Sequence, residues 1–190
     1  MPPGAIGTLR LQRGEPYLGY FQPVEFFSDA AVGIAVAVDG RFTAAAPRIK
    51  VGLLIGSVYR LRVTNIPGSE GQEVFPTLEL IDRTHPPPRL AEQYPIPVHL
   101  TQTDLRLALA GRYVTRVIYL EDPRNALPVA QPAASQEWFD AAPGRDPLEV
   151  ADAMGRPVAI LRIGGRSPEN IADPGERFLF GSPPLRRLGP

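Results

Sequence analysis

The chain predicts a mainly-β protein, an immunoglobulin-like β-sandwich carrying two short α-helices. Three observations carry that expectation. Residues 51–82 hold two apolar-alternating runs joined by a glycine-rich turn, 23 prolines and 18 glycines punctuate 190 residues, and β-branched or aromatic runs recur along the length. Many short strands joined by Pro/Gly turns assemble into a sandwich or barrel. So much proline also removes backbone donors and excludes long helices.

The central stretch shows the strand period most cleanly. Tyr59, Leu61 and Val63 fall on one side, Arg60, Arg62 and Thr64 on the other. After a turn punctuated by Pro67, Gly68 and Gly71, Val74, Leu78 and Leu80 share one face and Thr77 and Glu79 the other. Alternation at two residues is the signature of a half-buried strand, so the stretch reads as a hairpin. Leu61, Val63, Leu78, Leu80 and Val117 are the expected core.

In chain order, residues 1–16 read as an extended lead-in, with Ile6, Leu9 and Leu11 along a sheet edge. Residues 17–27 form an aromatic-rich strand whose Pro23 places it at an edge or a bulge. A second strand covers residues 31–38, and Asp39-Gly40 turns the chain into residues 41–43. Pro86, Pro87 and Pro88 predict a polyproline II crossover. Thr103 is a natural N-cap for a helix that Gly111 ends, and residues 112–122 follow as a strand. Asp146 is the N-cap of a second helix, with Pro147 at its first position and Gly155 closing it. Residues 156–165 are the last strand. Residues 104–119 and 146–163 thus share a helix–Gly–Arg–strand pattern. The organisation predicted is a lead-in (1–16), a sandwich domain with the two helices (17–166) and a Pro/Gly/Arg-rich tail (167–190). In the tail, Arg186 and Arg187 flank a poorly anchored end suited to partner contact.

Composition narrows the function. Twenty basic and twenty acidic residues cancel, so no charge footprint for nucleic acid exists. The absence of cysteine removes disulfides, thiolate nucleophiles and cysteine-ligated metals. No run approaches the roughly 18 apolar residues of a membrane span. The N-terminus lacks the pattern of an export signal. Taken literally the chain is cytoplasmic; as a trimmed mature form it belongs to the periplasm or cell envelope.

The two histidines, His85 and His99, exhaust the imidazole chemistry. Asp82 and His85 lie three residues apart, with Glu79 upstream, and form the metal candidate. A regular strand would put Glu79 and Asp82 on opposite sides, and His85 precedes three prolines, so neither metal nor cofactor is expected. No nucleophile elbow, P-loop or dinucleotide fingerprint occurs. The expectation is a non-catalytic structural or protein-interaction module, monomeric or weakly associated, with a protein partner. A carbohydrate- or small-ligand-binding module is the alternative, with Tyr17, Tyr20 and Trp138 as stacking candidates; a hydrolase built around His85 is a third.

Five segments carry a resemblance: GYFQPVEF at 19–26, VYRLRVTNIP at 58–67, FPTLELIDR at 75–83, LALAGRYVTRVIYLEDP at 107–123 and GRPVAILRIGGR at 155–166. Together they resemble a family of bacterial envelope-associated proteins, planctomycetal in type, to which no activity is assigned. What the resemblance implies is location in the cell envelope, with no site residues attached.

Overall fold

The computed structural model describes residues 2–12, 18–87, 89–121, 146, 148, 150 and 155–188. The expected hairpin is present: β5 (Val58–Thr64) pairs antiparallel with β6 (Thr77–Leu80), matching Tyr59 with Leu78 and Arg60 with Thr77. Tyr59, Leu61, Val63, Leu78 and Leu80 are all fully buried, as the two-residue period requires.

Around the hairpin lie β1 (Phe21–Phe27), β2 (Gly33–Val38), β3 (Arg41–Phe42), β4 (Arg48–Leu54), β7 (Ile96–His99), β8 (Val114–Glu121), β9 (Gly155–Ile163) and β10 (Leu185–Arg187). They form two sheets, ordered β10-β4-β1-β7 and β3-β2-β5-β6-β9-β8. One hydrophobic core joins them: Val24, Phe26, Leu53 and Val98 from the first sheet meet Ile34, Leu61, Leu78 and Leu161 from the second. The molecule is therefore mainly β with two sheets packed in sandwich fashion. The β2–β3 turn follows its sequence signal, with Asp39 at φ 49° and Gly40 at φ 76°, the paired positive angles of a tight hairpin turn.

Several expectations are corrected. The run from residue 51 is not one strand: β4 and β5 belong to different sheets, and the chain changes sheet at Gly56, whose φ is +83°. β1 is an interior strand, paired with β4 on one side and with β7 on the other. Pro23 is still tolerated locally, because β7 pairing begins only at Val24. The Pro23 carbonyl accepts the Gln22 side-chain amide instead. Helix α2 (Gln102–Leu109) is capped by Thr101, not Thr103, and the Thr101 hydroxyl accepts from the Asp104 N–H. Gly111 does end that turn, at φ +78°. Gly155 is different in kind: it opens β9, where a side chain would meet the Leu120 carbonyl. Val117 faces away from the core; Ile118 faces it, 9% exposed. Of the second expected helix, the start is seen: Asp146 Oδ1 accepts from Leu148 N–H and the Asp146 carbonyl from Val150 N–H.

Both chain ends depart most from expectation. Residues 5–12 are a helix, α1 (Ala5–Gln12), not an extended edge. The C-terminal segment is pinned to the fold: β10 pairs with β4, Leu179 is 1% exposed, and Tyr59 Oη donates to the Pro184 carbonyl at 2.8 Å. Burial pushes the Tyr59 phenol up to about 12, so it stays a donor. Arg60 donates to the carbonyls of Phe178 and Phe75 at 3.0 and 2.8 Å, and its guanidinium lies 4.3 Å from the Phe178 ring centre.

Truncation after Pro174 removes a buried leucine and strips buried Arg60 and Tyr59 of partners, a loss of several kcal/mol on the usual scale of about 2–5 for the leucine alone. The thermal midpoint is expected to fall by more than about 10 °C, at about 2–4 °C per kcal/mol for a chain this long. A shift within about 2 °C would mean that the segment merely rests on the sheet.

Candidate functional site

The outer face of the six-stranded sheet carries two cross-strand rows. Register places Arg60, Thr77, Arg162 and Thr115 in one row and Val58, Glu79, Ile160 and Val117 in the next. On an antiparallel sheet this is ordinarily the solvated face. Here Arg60, Thr77, Glu79 and Arg162 are all buried, because both chain ends lie across it.

Phe178 and Phe180 cover the Arg60 end. Helix α1 covers the middle and is tied down by Glu79. Glu79 Oε1 accepts the N–H groups of Ile6 and Gly7 at 3.1 and 3.0 Å, and Oε2 accepts from Arg162 Nη1 at 2.8 Å. A carboxylate at a helix N-terminus satisfies orphan donors and opposes the helix dipole. Gly7 has no side chain because the helix touches Gly56 there, 2.8 Å from where a Cβ would stand.

Beside α1 the face opens into a recess of about 210 Å³. Thr115, Val117, Ile160 and Arg162 lie on its sheet side, Ile6 and Leu148 flank it, and Tyr113 and Asp146 stand at its exposed margin. Tyr113 is 67% exposed. Its lining mixes apolar Ile6, Val117, Leu148 and Ile160 with polar Thr115, Asp146 and Arg162 in nearly equal measure.

A second cluster forms where β6 ends. The N–H groups of both Ile81 and Asp82 donate to the Val158 carbonyl, so two residues oppose one and the alternation breaks. The expectation that Glu79 and Asp82 diverge therefore fails: both hold α1, Asp82 through Arg10 Nη1 at 3.0 Å. Arg156 Nε also approaches Asp82, at 3.4 Å. Arg156 Nη2 contacts the Arg83 carbonyl at 2.9 Å and His85 Nδ1 at 3.0 Å. Asp82 and His85 thus meet through a guanidinium rather than as neighbouring ligands. Among the described residues no three His, Cys, Asp or Glu side chains converge in a way that could hold a metal. Desolvation, with Arg156 and Arg83 adding to it against the opposing pull of Asp82, lowers the His85 pKa.

Of the stacking candidates, Tyr20 is half-buried with the Arg83 guanidinium 5.4 Å from its ring centre. Tyr17 and Trp138 lie outside the described residues. Sequence reasoning missed the recess, because Ile6 was assigned to an extended lead-in and Val117 to the core. A third carboxylate, Asp104 on α2, is fully buried and accepts two bonds from Arg116, at 2.7 and 3.2 Å.

Comparison with family models, curated proteins and solved structures finds no match. Among the described residues no helix is long and apolar enough to cross a membrane.

Glu79→Ala is expected to cost about 3–5 kcal/mol in urea unfolding, since it strands Arg162, and to speed amide exchange at Ile6 and Gly7. Glu79→Leu with Arg162→Met removes the stranded charge but leaves the Ile6 and Gly7 N–H groups without their acceptor, so it should recover only part of that loss; an equally damaged double variant would show that the stranded charge is not the cause. His85 should titrate below 6.5. Its folded value is lowered, so the unfolded chain takes the proton first and stability falls as pH drops below about 6.5. In Arg156→Gln the NMR-detected midpoint should rise; an unchanged midpoint would remove the guanidinium as a cause.

Proposed function

We propose that the protein is a non-catalytic interaction module of a bacterial cell envelope, monomeric in isolation, that holds a protein partner by one side chain set into the recess beside α1. The volume of the recess is the observation that carries this reading. Pockets for drug-sized ligands measure about 300–1,000 Å³. A recess of about 210 Å³ falls below that range, which suits a single side chain better than a whole cofactor. Tyr113 at the margin offers the amphipathic contact area common at protein interfaces.

The non-catalytic part is supported by how the buried carboxylates are engaged. Glu79, Asp82 and Asp104 each accept from an arginine, an arrangement suited to holding elements together. The envelope location follows from the resemblance of the five segments. An immunoglobulin-like topology is proposed from the many short strands joined by Pro/Gly turns, and a chain that crosses repeatedly between its two sheets is consistent with it.

A carbohydrate- or small-ligand-binding module would use the same recess, since polar Thr115 and Asp146 share it with the apolar residues. The two readings part in one titration. Side-chain analogues such as p-cresol, isobutanol and n-butylguanidinium should shift the methyl resonances of Val117 and Ile160 at millimolar concentration. Val117→Trp, which fills the recess from its outer side, should abolish the shifts. A response to monosaccharides alone would move the assignment to sugar binding, and no response to either set would sink both.

A further inference from the structure

We propose that the corner formed by Arg10, Arg156 and Arg83 around Asp82 is a binding site for a tetrahedral oxyanion, a phosphate or sulfate group carried by a small molecule or a lipid headgroup. Three separate elements bring the groups together. Arg10 comes from the last turn of α1, Asp82 and Arg83 from the irregular end of β6, and Arg156 from the start of β9.

The layering of charge is what suits the corner to an anion. Asp82 lies beneath, its side chain 3% exposed, while the side chains of Arg10 and Arg156 are 25% and 40% exposed. The negative group is buried and the positive groups face solvent. Among the described residues, two guanidiniums meet one carboxylate here. The Arg83 guanidinium lies over the Tyr20 ring and is close enough to act on His85. In a chain whose formal charges cancel, this is a local concentration of one sign.

The site is also held in place before any ligand arrives. Arg156 is fixed in three directions, by Asp82, by the Arg83 carbonyl and by His85 Nδ1. The Arg83 N–H holds the other Asp82 oxygen at 2.7 Å. A buried carboxylate that orients arginines is a supporting layer beneath a recognition surface. With Nε and Nη2 of Arg156 engaged in this way, its Nη1 and the Arg10 guanidinium are the groups the corner offers to an oxyanion, through charge-assisted hydrogen bonds. The groups facing His85 are Arg156, Arg83 and Asp82; an oxyanion added there would oppose the two cations and favour the protonated imidazole.

The test uses the full chain, titrated with inorganic phosphate and with sulfate at constant ionic strength maintained by chloride. Saturable shifts of the Arg10 and Arg156 Nε–H resonances are expected, together with a rise in the His85 midpoint. Arg156→Gln should weaken phosphate binding by about tenfold, the scale of one charge-assisted hydrogen bond. Arg156→Lys, which keeps the charge and loses the fixed Nη1 donor, should fall between, so the proposal stays testable if the Gln variant folds poorly. Sedimentation with phosphatidylglycerol vesicles, against phosphatidylcholine, separates the sources: retention weakened by Arg156→Gln assigns a headgroup, and phosphate binding without retention assigns a soluble ester. No saturable response to phosphate, sulfate or anionic vesicles would overturn the proposal, as would equal affinity in wild type and Arg156→Gln.

Discussion

A carboxylate shut off from water sets the layout of this protein. Glu79 is fully buried, and its two oxygens are divided between Arg162 on the neighbouring strand and the first N–H groups of α1. An ionised carboxylate in that position costs several kcal/mol unless its lone pairs are met, so the helix and the arginine are required together. An apolar pair of the same volume could replace the ion pair alone, but it would leave the first N–H groups of α1 without an acceptor. What the charged arrangement adds is direction, because the N–H groups and the guanidinium must arrive at particular oxygens. Eight residues containing a glycine are too few to form a stable helix alone; α1 exists because Glu79 and the Gly7–Gly56 contact position it.

The same economy of polar groups recurs at the other covered positions. Among the described residues Arg60 meets no carboxylate; it is buried and donates to two backbone carbonyls beneath two aromatic rings. Burial and Arg166 lower its pKa to about 10, which leaves it charged at neutral pH. On the inner side, Tyr59 accepts from Leu54 N–H and donates to Pro184, stitching β5 to β4 and to the C-terminal segment. Each of these side chains lies on β5 or β6, so the central hairpin acts as the frame on which both chain ends are hung. The recess beside α1 is the part of that outer face which neither end fills.

The hairpin, the Asp39-Gly40 turn and the glycine stop at Gly111 could be read from residues alone, because each depends on chemistry within a few positions. Four of the five expected core residues are buried for the same reason. Val117 failed because strand alternation fixes two faces without saying which one is inward; its neighbour Ile118 is equally apolar. The lead-in failed because Gly7 reads as a helix breaker until Gly56, far along the chain, is seen against it. The apolar cluster Phe178-Leu179-Phe180 stands out in the tail, but its sequence does not say whether it meets the body or a partner; the buried Arg60 face that receives it belongs to a distant strand. Asp82 and His85 are near neighbours along the chain, yet the chemistry around them is set by Arg10 and Arg156, which come from distant elements. Long-range polar contacts are what local pattern does not report.

The stitching of Tyr59 to Pro184 spans 125 positions, and that of Arg60 to Phe178 spans 118. Contacts of such separation require the loop between them to close before they contribute anything, and chains dominated by them fold slowly. A ribosome releasing this protein would present β5 long before its last partners emerged. Arg60 and the outer rows would stay wet until residues 178–184 had left the tunnel. This face therefore closes well after its strands are made, and whatever holds it meanwhile must tolerate an open, arginine-bearing sheet.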